Sequence, residues 1–369
     1  MQSPFRIGVW SKGFDSLGLI GNPLSLTVYP RHNQQPTAQL IVGTSHRLAP
    51  ALVTPGTRIT LDYHGQQIMS GPIGTRAGDG APDGQLVLQV EDDWGILRDI
   101  LGWPDPSAAL TAQPEYDTVT GPAETVVKSL VSRNAARLGL PVTVAPDLGR
   151  GATITVKVRM DKLADKLFPA VDLAGIGVTV RQSGAGLVVD CYTPATYPRK
   201  ITPKSGVVTA WSWTTTSPAT TRAVVGGQGD GAARVFRQVT DTAAESLWGV
   251  KREVFVDARD ADTTALLDAR GTTAVADGAA KTGLSLTLAE TDTFRYGDQV
   301  TVGDKVTTQL VPGADPITDV LREAVLNWSR DTGFTATPIV GERTDDPSRS
   351  LARAVFSIGK RLRALQVGK

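Results

Sequence analysis

The stretch WGVKREVFVDARD, residues 248 to 260, sets Glu253, Asp257 and Asp260 among Lys251, Arg252 and Arg259 around an apolar Val-Phe-Val run. On an extended strand Glu253, Phe255 and Asp257 share one side, and Val254 and Val256 the other. Two carboxylates cleave a glycosidic bond when they flank it at about 5 to 9.5 Å, and alternate residues of a strand approach the lower value. Nothing nearby raises one carboxyl's proton affinity or outlines a sugar cleft, and the three cations offset the three acids. We therefore expect these residues to fix strand or subunit register through charged hydrogen bonds rather than to act as acid and base.

The other residue types with chemical potential fall outside working patterns. His32, His46 and His64 lack an HExxH arrangement and are expected at the surface or in turns. Ser212, Ser285 and Ser357 sit in no GxSxG elbow, and ETDTF at 290–294 lacks a full calcium loop. AVVGGQGDGAARVF lacks GxxxxGK[ST] and reads as a hairpin instead of a phosphate loop. Cys191, the single cysteine, rules out an intrachain disulfide framework and multi-cysteine zinc patterns; within GLVVDCYTP it should fill a strand position. No cofactor or metal is expected. Trp211 and Trp213, at spacing two, share a strand face that would stack on a sugar or base in a suitable surround. Without a basic surround they are expected to pack, as are Trp94, Trp103 and Trp248.

Bulk properties narrow the function classes. A formal net charge of +1 advertises no polyanion-binding surface, so nucleic-acid recognition is not expected. MQSPFRIGVWSKG lacks the basic and apolar segments of a secretory signal, and the apolar runs fall short of the roughly 20 residues that span a bilayer. Stable membrane insertion is not expected either.

The elements that must position these residues are mostly strands. The chain has 369 residues, 41% of them hydrophobic, enough for roughly two to four domains. Its 38 glycines, 23 prolines and 6% aromatics favour a turn-rich β protein. Residues 1–110 hold short apolar or alternating runs (FRIGVW, LSLTVYP, TAQLIVG, TRITLDYHG, QQIMSGPIG, GQLVLQVED) that predict a small barrel-like β domain. Its covering helix comes from EDDWGILRDILGWPDP, where Trp94, Leu97, Ile100 and Leu101 share a face, Asp92 and Asp93 cap the start, and Pro104 and Pro106 stop it.

Residues 111–175 read as a mixed α/β lobe, with a helix over 121–139, strands near 142–145 and 153–158, and a short helix before Pro169. Residues 176–345 read as a second barrel-like β region with a helical insertion at 261–283. Within it GDQVTVGDKVT predicts a hairpin reversing at Gly303 and Asp304, and ITDVLREAVLNWS fits helix and strand alike. In 346–369 Leu351, Val355, Ile358, Leu362 and Leu365 line one face of a helix, with Arg349, Arg353, Lys360, Arg361 and Arg363 elsewhere, as expected of a C-terminal docking helix. The fold class is thus mainly β with an α+β insertion: two small barrel-like domains, an intervening mixed lobe and a terminal helix.

The order of several tracts adds a family. WSKG, PLSLTVYPRHNQQPTAQLIV, LVTPGTRITLDYHGQQIMSG and VEDDWGILRDILGWPDP, followed by VVGGQGDGAARVF, WGVKREVFVDARD and YGDQVTVGDKVTTQLVPG, resemble the Gp37-like minor tail proteins of actinobacterial siphophages over nearly the whole chain. More distantly the pattern resembles the baseplate-hub proteins of long-tailed phages. That resemblance implies a non-enzymatic structural protein of the baseplate or tail-tip hub, with tail-hub barrel domains arranged as a homotrimer. It implies a roughly six-fold face toward the tail tube, and as partners the tail-tube end, a distal tail protein, and tail fibre or spike proteins. The protein would be soluble in the host cytoplasm before assembly and then part of the virion's distal tail. Two alternatives stay open: a tail-associated peptidoglycan hydrolase, since some hubs carry one, and a carbohydrate-binding receptor protein built on Trp211 and Trp213.

Overall fold

The computed structural model describes residues 3–78, 84–206, 208–288, 295–309, 311, 313 and 316–341, with residues 209–214, 281–288, 340 and 341 as backbone only. The chain is mostly β, 42% strand and 21% helix. It divides into two compact units, one of residues 1–211 with 285–340, the other built on 212–284.

The first unit takes strands from distant parts of the sequence. Neighbour by neighbour, its main ladder runs Gly333–Gly341, Ile317–Ser329, Ser25–Tyr29, Thr37–Gly43, Gln85–Glu91, Gln66–Gly78, Arg58–Tyr63, Phe5–Trp10 and Ser16–Ile20. Alternation aims Leu26, Val28, Leu40, Val42, Ile59, Leu61 and Leu88 into a core from which solvent is excluded. Among the described residues this path is open, with Ser16–Ile20 at one end, and no closed barrel is found. The Gln66–Gly78 strand turns the corner. Up to Pro72 it pairs with Arg58–Tyr63, and from Ile73 with Gln85–Glu91. Gly71 makes this possible, because a Cβ there would lie 1.9 Å from the Glu91 carbonyl oxygen.

Two local expectations need correction, and one left open is resolved. The helix after Glu91 spans only Gly95–Asp99; Ile100 is extended, and Leu101–Gly102 pairs with Asp161–Lys162, so strand pairing stops the helix before the prolines do. Lys305–Thr308 pairs with Ile317–Val320 and not across Gly303 and Asp304. Asp304 instead closes a local turn, its carboxylate accepting from the Thr301 amide at 2.8 Å. Ile317–Ser329 is a strand of 13 residues, bonded on one side to Gly333–Val340 and on the other to Ser25–Tyr29. Partners on both sides decide between two periods that its sequence satisfied equally.

The same unit contains a mixed α/β region. The Ala123–Arg137 helix follows Pro122 and buries Val126, Val127, Leu130, Val131 and Ala135 on one stripe. Gly139, at φ +63°, ends it. With the Leu163–Leu173 helix it packs on strands Thr153–Val158, Gly177–Ser183 and Gly186–Tyr192 around a common apolar core. Cys191 lies in that core on the last strand, 1% exposed.

The second unit is a three-stranded sheet with one covered face. Phe236–Thr240 lies antiparallel, and Glu253–Asp257 parallel, to the central strand Arg222–Gly226. The Thr264–Asp277 helix starts on Thr263, whose hydroxyl accepts from the Leu266 amide, and sets Leu267, Gly271 and Val275 against Ala223, Val225, Val254 and Val256. Gly271 lets helix and sheet approach; a Cβ would stand 2.6 Å from a Val239 methyl. Among the described residues no helix is long and apolar enough to cross a membrane.

Candidate functional site

Period-two alternation divides the second unit's sheet. Val254 and Val256 turn to the helix, and Glu253, Phe255 and Asp257 to the open face. Register places Phe236, Gln238 and Thr240 beside Gly226, Val224 and Arg222 on that same face. Phe236 is 53% exposed and Phe255 55%. Arg234 lies between them, its guanidinium 5.5 Å from the Phe236 ring and 5.4 Å from the Phe255 ring. It donates to the Gly227 and Gly226 carbonyls at 3.1 and 3.0 Å and to the Asp257 carboxylate. Arg222 donates to Glu245 at 2.9 Å, which holds Glu245 below the usual carboxylate range.

The charged stretch finds most of its partners elsewhere in the chain. Asp257 takes Arg234, with Arg259 more distant at 3.7 Å. Asp260 takes Arg270 of the covering helix. Arg252 donates to the Pro218 carbonyl at 2.6 Å. Glu253 has no ion pair within 4 Å among the described residues. Glu253 and Asp257 are four residues apart on an extended strand, about 13 Å at ~3.3 Å per residue, wider than the separation a glycosidase pair uses. Both face solvent. This surface holds and orients charge; it does not enclose a substrate.

The tryptophans fall into different surroundings. Trp94 is buried, its ring centroid 4.6 Å from that of Phe168, with the indole N–H unpartnered. Trp103 is half-buried beneath the Arg137 guanidinium at 4.3 Å. Trp248, also half-buried, ends the Thr242–Trp248 helix. The side chains of Trp211 and Trp213 lie outside the described residues, as do Leu351, Val355, Ile358 and Leu362.

Two of the buried polar clusters in the first unit centre on Asp93 and Glu124. Arg58 donates to Asp93 at 2.6 Å and to Gln182 at 3.1 Å; the Ser70 hydroxyl also donates to Asp93, and itself accepts from the Gln182 amide. Asp92 does accept from the Trp94 amide at 2.8 Å, and also from that of Ser70. Burial raises its carboxyl well above the usual carboxylate range, with those two amides opposing the shift. In the second cluster Glu124, fully buried, receives Lys128 at 2.6 Å and Arg150 at 2.8 Å.

His32 corrects a further expectation. It is 4% exposed, with Nδ1 2.8 Å from the Tyr192 hydroxyl and Nε2 3.8 Å from Asp172. Burial pushes its pKa down to about 4, against the attraction of Asp172. Nothing local in PRHNQQ announced this, because the burying strand is 160 residues away. A cavity of about 390 Å³ in this unit is lined by Tyr63, Met69, Asp92, Trp94, Arg181 and Tyr192, among others. Both Asp92 oxygens already accept backbone amides, so this carboxylate is occupied by structure.

Residues 6–342 match the family model described as Siphovirus ReqiPepy6 Gp37-like protein. The chain belongs to this family. The Gp37-like fold is shared with solved phage tail proteins. Against the 43 kDa tail protein of prophage MuSo2 from Shewanella oneidensis the TM-score is 0.61 at 12% identity, over 91% of this chain and 98% of that one. The tail protein from Neisseria meningitidis MC58 gives 0.58 at 14% identity, over 92% and 96%. Prophage tail protein gp18 from Listeria monocytogenes EGD-e gives 0.58 at 11% identity, over 96% and 99%. No curated protein matches the chain. The Gp37-like chain is thus a member of a phage tail protein family, with the fold of tail proteins over nearly its whole length.

Proposed function

We propose that this Gp37-like chain is a structural, non-enzymatic component of the distal tail. It forms a homotrimeric baseplate or tail-tip hub that joins the tail tube to a distal tail protein and to fibre or spike proteins. The observation that carries the reading is the fold: it matches a tail protein over 91% of this chain and 98% of that one. The surface chemistry agrees. Glu253, Asp257 and Asp260 stand on exposed strand and turn positions, with cations opposite two of them, as residues that set contacts do. In this role the β modules supply rigid wall around an opening, and the stretch 346–369 docks on a neighbouring tail component.

Absolute mass measurement of the purified chain, followed by imaging of antibody-labelled particles, tests the reading. A trimer, with label confined to the tail tip, is the expected result. A chain that is monomeric at every concentration and absent from tail tips would sink it, as would release of muropeptides from purified peptidoglycan.

A further inference from the structure

The second unit ends on both sides in strands whose outer backbone groups have no partner among the described residues. The Arg252 carbonyl accepts from the Thr221 and Arg222 amides, and the Ala258 amide donates to the Gly226 carbonyl. In a parallel ladder that pattern turns the peptide groups of Val254 and Val256 inward and those of Glu253, Phe255 and Asp257 outward. On the other edge the Gly227 amide donates to the Val235 carbonyl, and the Asp241 amide to that of Thr221. Phe236, Gln238 and Thr240 then occupy the non-hydrogen-bonded positions and also face outward.

Charge distinguishes the two edges. Residues 234–240, RVFRQVT, carry two arginines and no acid; residues 253–257, EVFVD, carry two acids and no base. Arg234 and Arg237 are paired within the copy with Asp257 and Asp268, so the charge left without an ion pair among the described residues is that of Glu253, and two Glu253 edges repel one another. Around them Val235 is 46% exposed, Phe236 53% and Phe255 55%, more apolar surface than solvated strand edges usually show.

We propose that the Glu253–Asp257 edge of one copy takes the Phe236–Thr240 edge of a second copy as an added strand, continuing the sheet from subunit to subunit. Direction is compatible, since the two strands are already antiparallel to one another within a copy. Facing is compatible too: the outward peptide groups on both edges belong to residues whose side chains lie on the open face. Joining them keeps the covering helices on one side. The contact is heterologous, so each copy retains one edge for the next, and a suitable rotation closes a ring. This inference rests on the reading of the chain as a ring-forming hub.

The test co-expresses the full chain carrying Thr240→Cys with the full chain carrying Glu253→Cys, since both residues lie beside Arg222 in one copy and would crosslink internally if combined there. The mixture is treated with a short bismaleimide, and buried Cys191 provides no competing thiol. The mixture should give covalent dimers, and each variant alone none. Crosslinked dimers from a single variant would mean that like edges meet, which overturns the proposal. Independently, Glu253→Lys with Phe255→Ser should weaken self-association at least about tenfold while the circular dichroism spectrum is unchanged. If the wild type is oligomeric and this variant equally so, the edge pairing is wrong and the hub reading survives. A wild type monomeric at every concentration removes both. Should deletion of residues 342–369 expose the 253–257 amides to hydrogen exchange independently of concentration, the chain's own C-terminal stretch covers the edge, and the proposal is again overturned.

Discussion

Asp257 pairs with Arg234, 23 residues earlier in the chain, across the bare Cα of Gly226. A Cβ on Gly226 would lie 2.7 Å from an Arg234 guanidinium nitrogen and 2.9 Å from the Phe255 ring. The glycine thus lets a guanidinium lie flat on the sheet between two aromatic rings.

Because the Asp257 side chain is 58% exposed, the pair contributes little to folding. Asp257→Ala, which removes the exposed partner and leaves Arg234 its Gly226 and Gly227 carbonyls, should change unfolding free energy by no more than about 1 kcal/mol in a urea titration. A loss several times larger would mean that the pair holds the unit together rather than its surface.

Glu124 behaves differently. Arg150 and then Lys128 hold its carboxyl well below the usual carboxylate range, against the opposing effect of burial. Glu124→Ala leaves Lys128, whose side chain is 4% exposed, with Asp190 at 3.0 Å and the Pro146 carbonyl at 2.9 Å, and should cost about 1–3 kcal/mol. As a carboxylate depressed in the fold, Glu124 contributes stability that is present above its ordinary value of 4.5 and declines as pH falls below it. Thermal unfolding of wild type and variant should therefore converge in acid.

His32 sets a second pH window. Its pKa is pushed down from 6.5 to about 4, so the unfolded chain binds its proton first. Stability is full above about pH 6.5 and is lost as pH falls toward 4, by an amount on the order of 3 kcal/mol. His32→Gln should flatten the melting temperature across that interval, though its value at pH 7.5 drops through loss of the Tyr192 contact. An unchanged slope between pH 6.5 and 4.5 would show that other groups control it.

Gly71→Ala should be among the most damaging single-methyl changes. The clash is with backbone, the Glu91 carbonyl at 1.9 Å, so no rotamer relieves it. A loss of about 3 kcal/mol or more, or failure to fold, is expected by denaturant titration. Gly65→Ala serves as comparison: its φ of +76° is also unfavourable, but no atom lies within 4 Å of the added methyl.

Local periodicity was enough to read the Ala123–Arg137 helix, the strand that carries Cys191, the short strands before residue 92 and the alternation that puts Glu253, Phe255 and Asp257 on one face. These depend on residues a few positions apart, and the residue order also carried the family. What it could not supply was the identity of distant partners. Thr27 meets Asn327 across 300 residues, and that pairing made Ile317–Ser329 a strand. Tyr192 buried a histidine that looked like a turn residue, and Arg234 rather than Arg259 became the main partner of Asp257. Loop closure spends entropy that no local pattern records, and only the contacts gathered in the folded chain repay it. Alternation along one strand therefore fixes which way a side chain points, and the tertiary structure decides what it meets there.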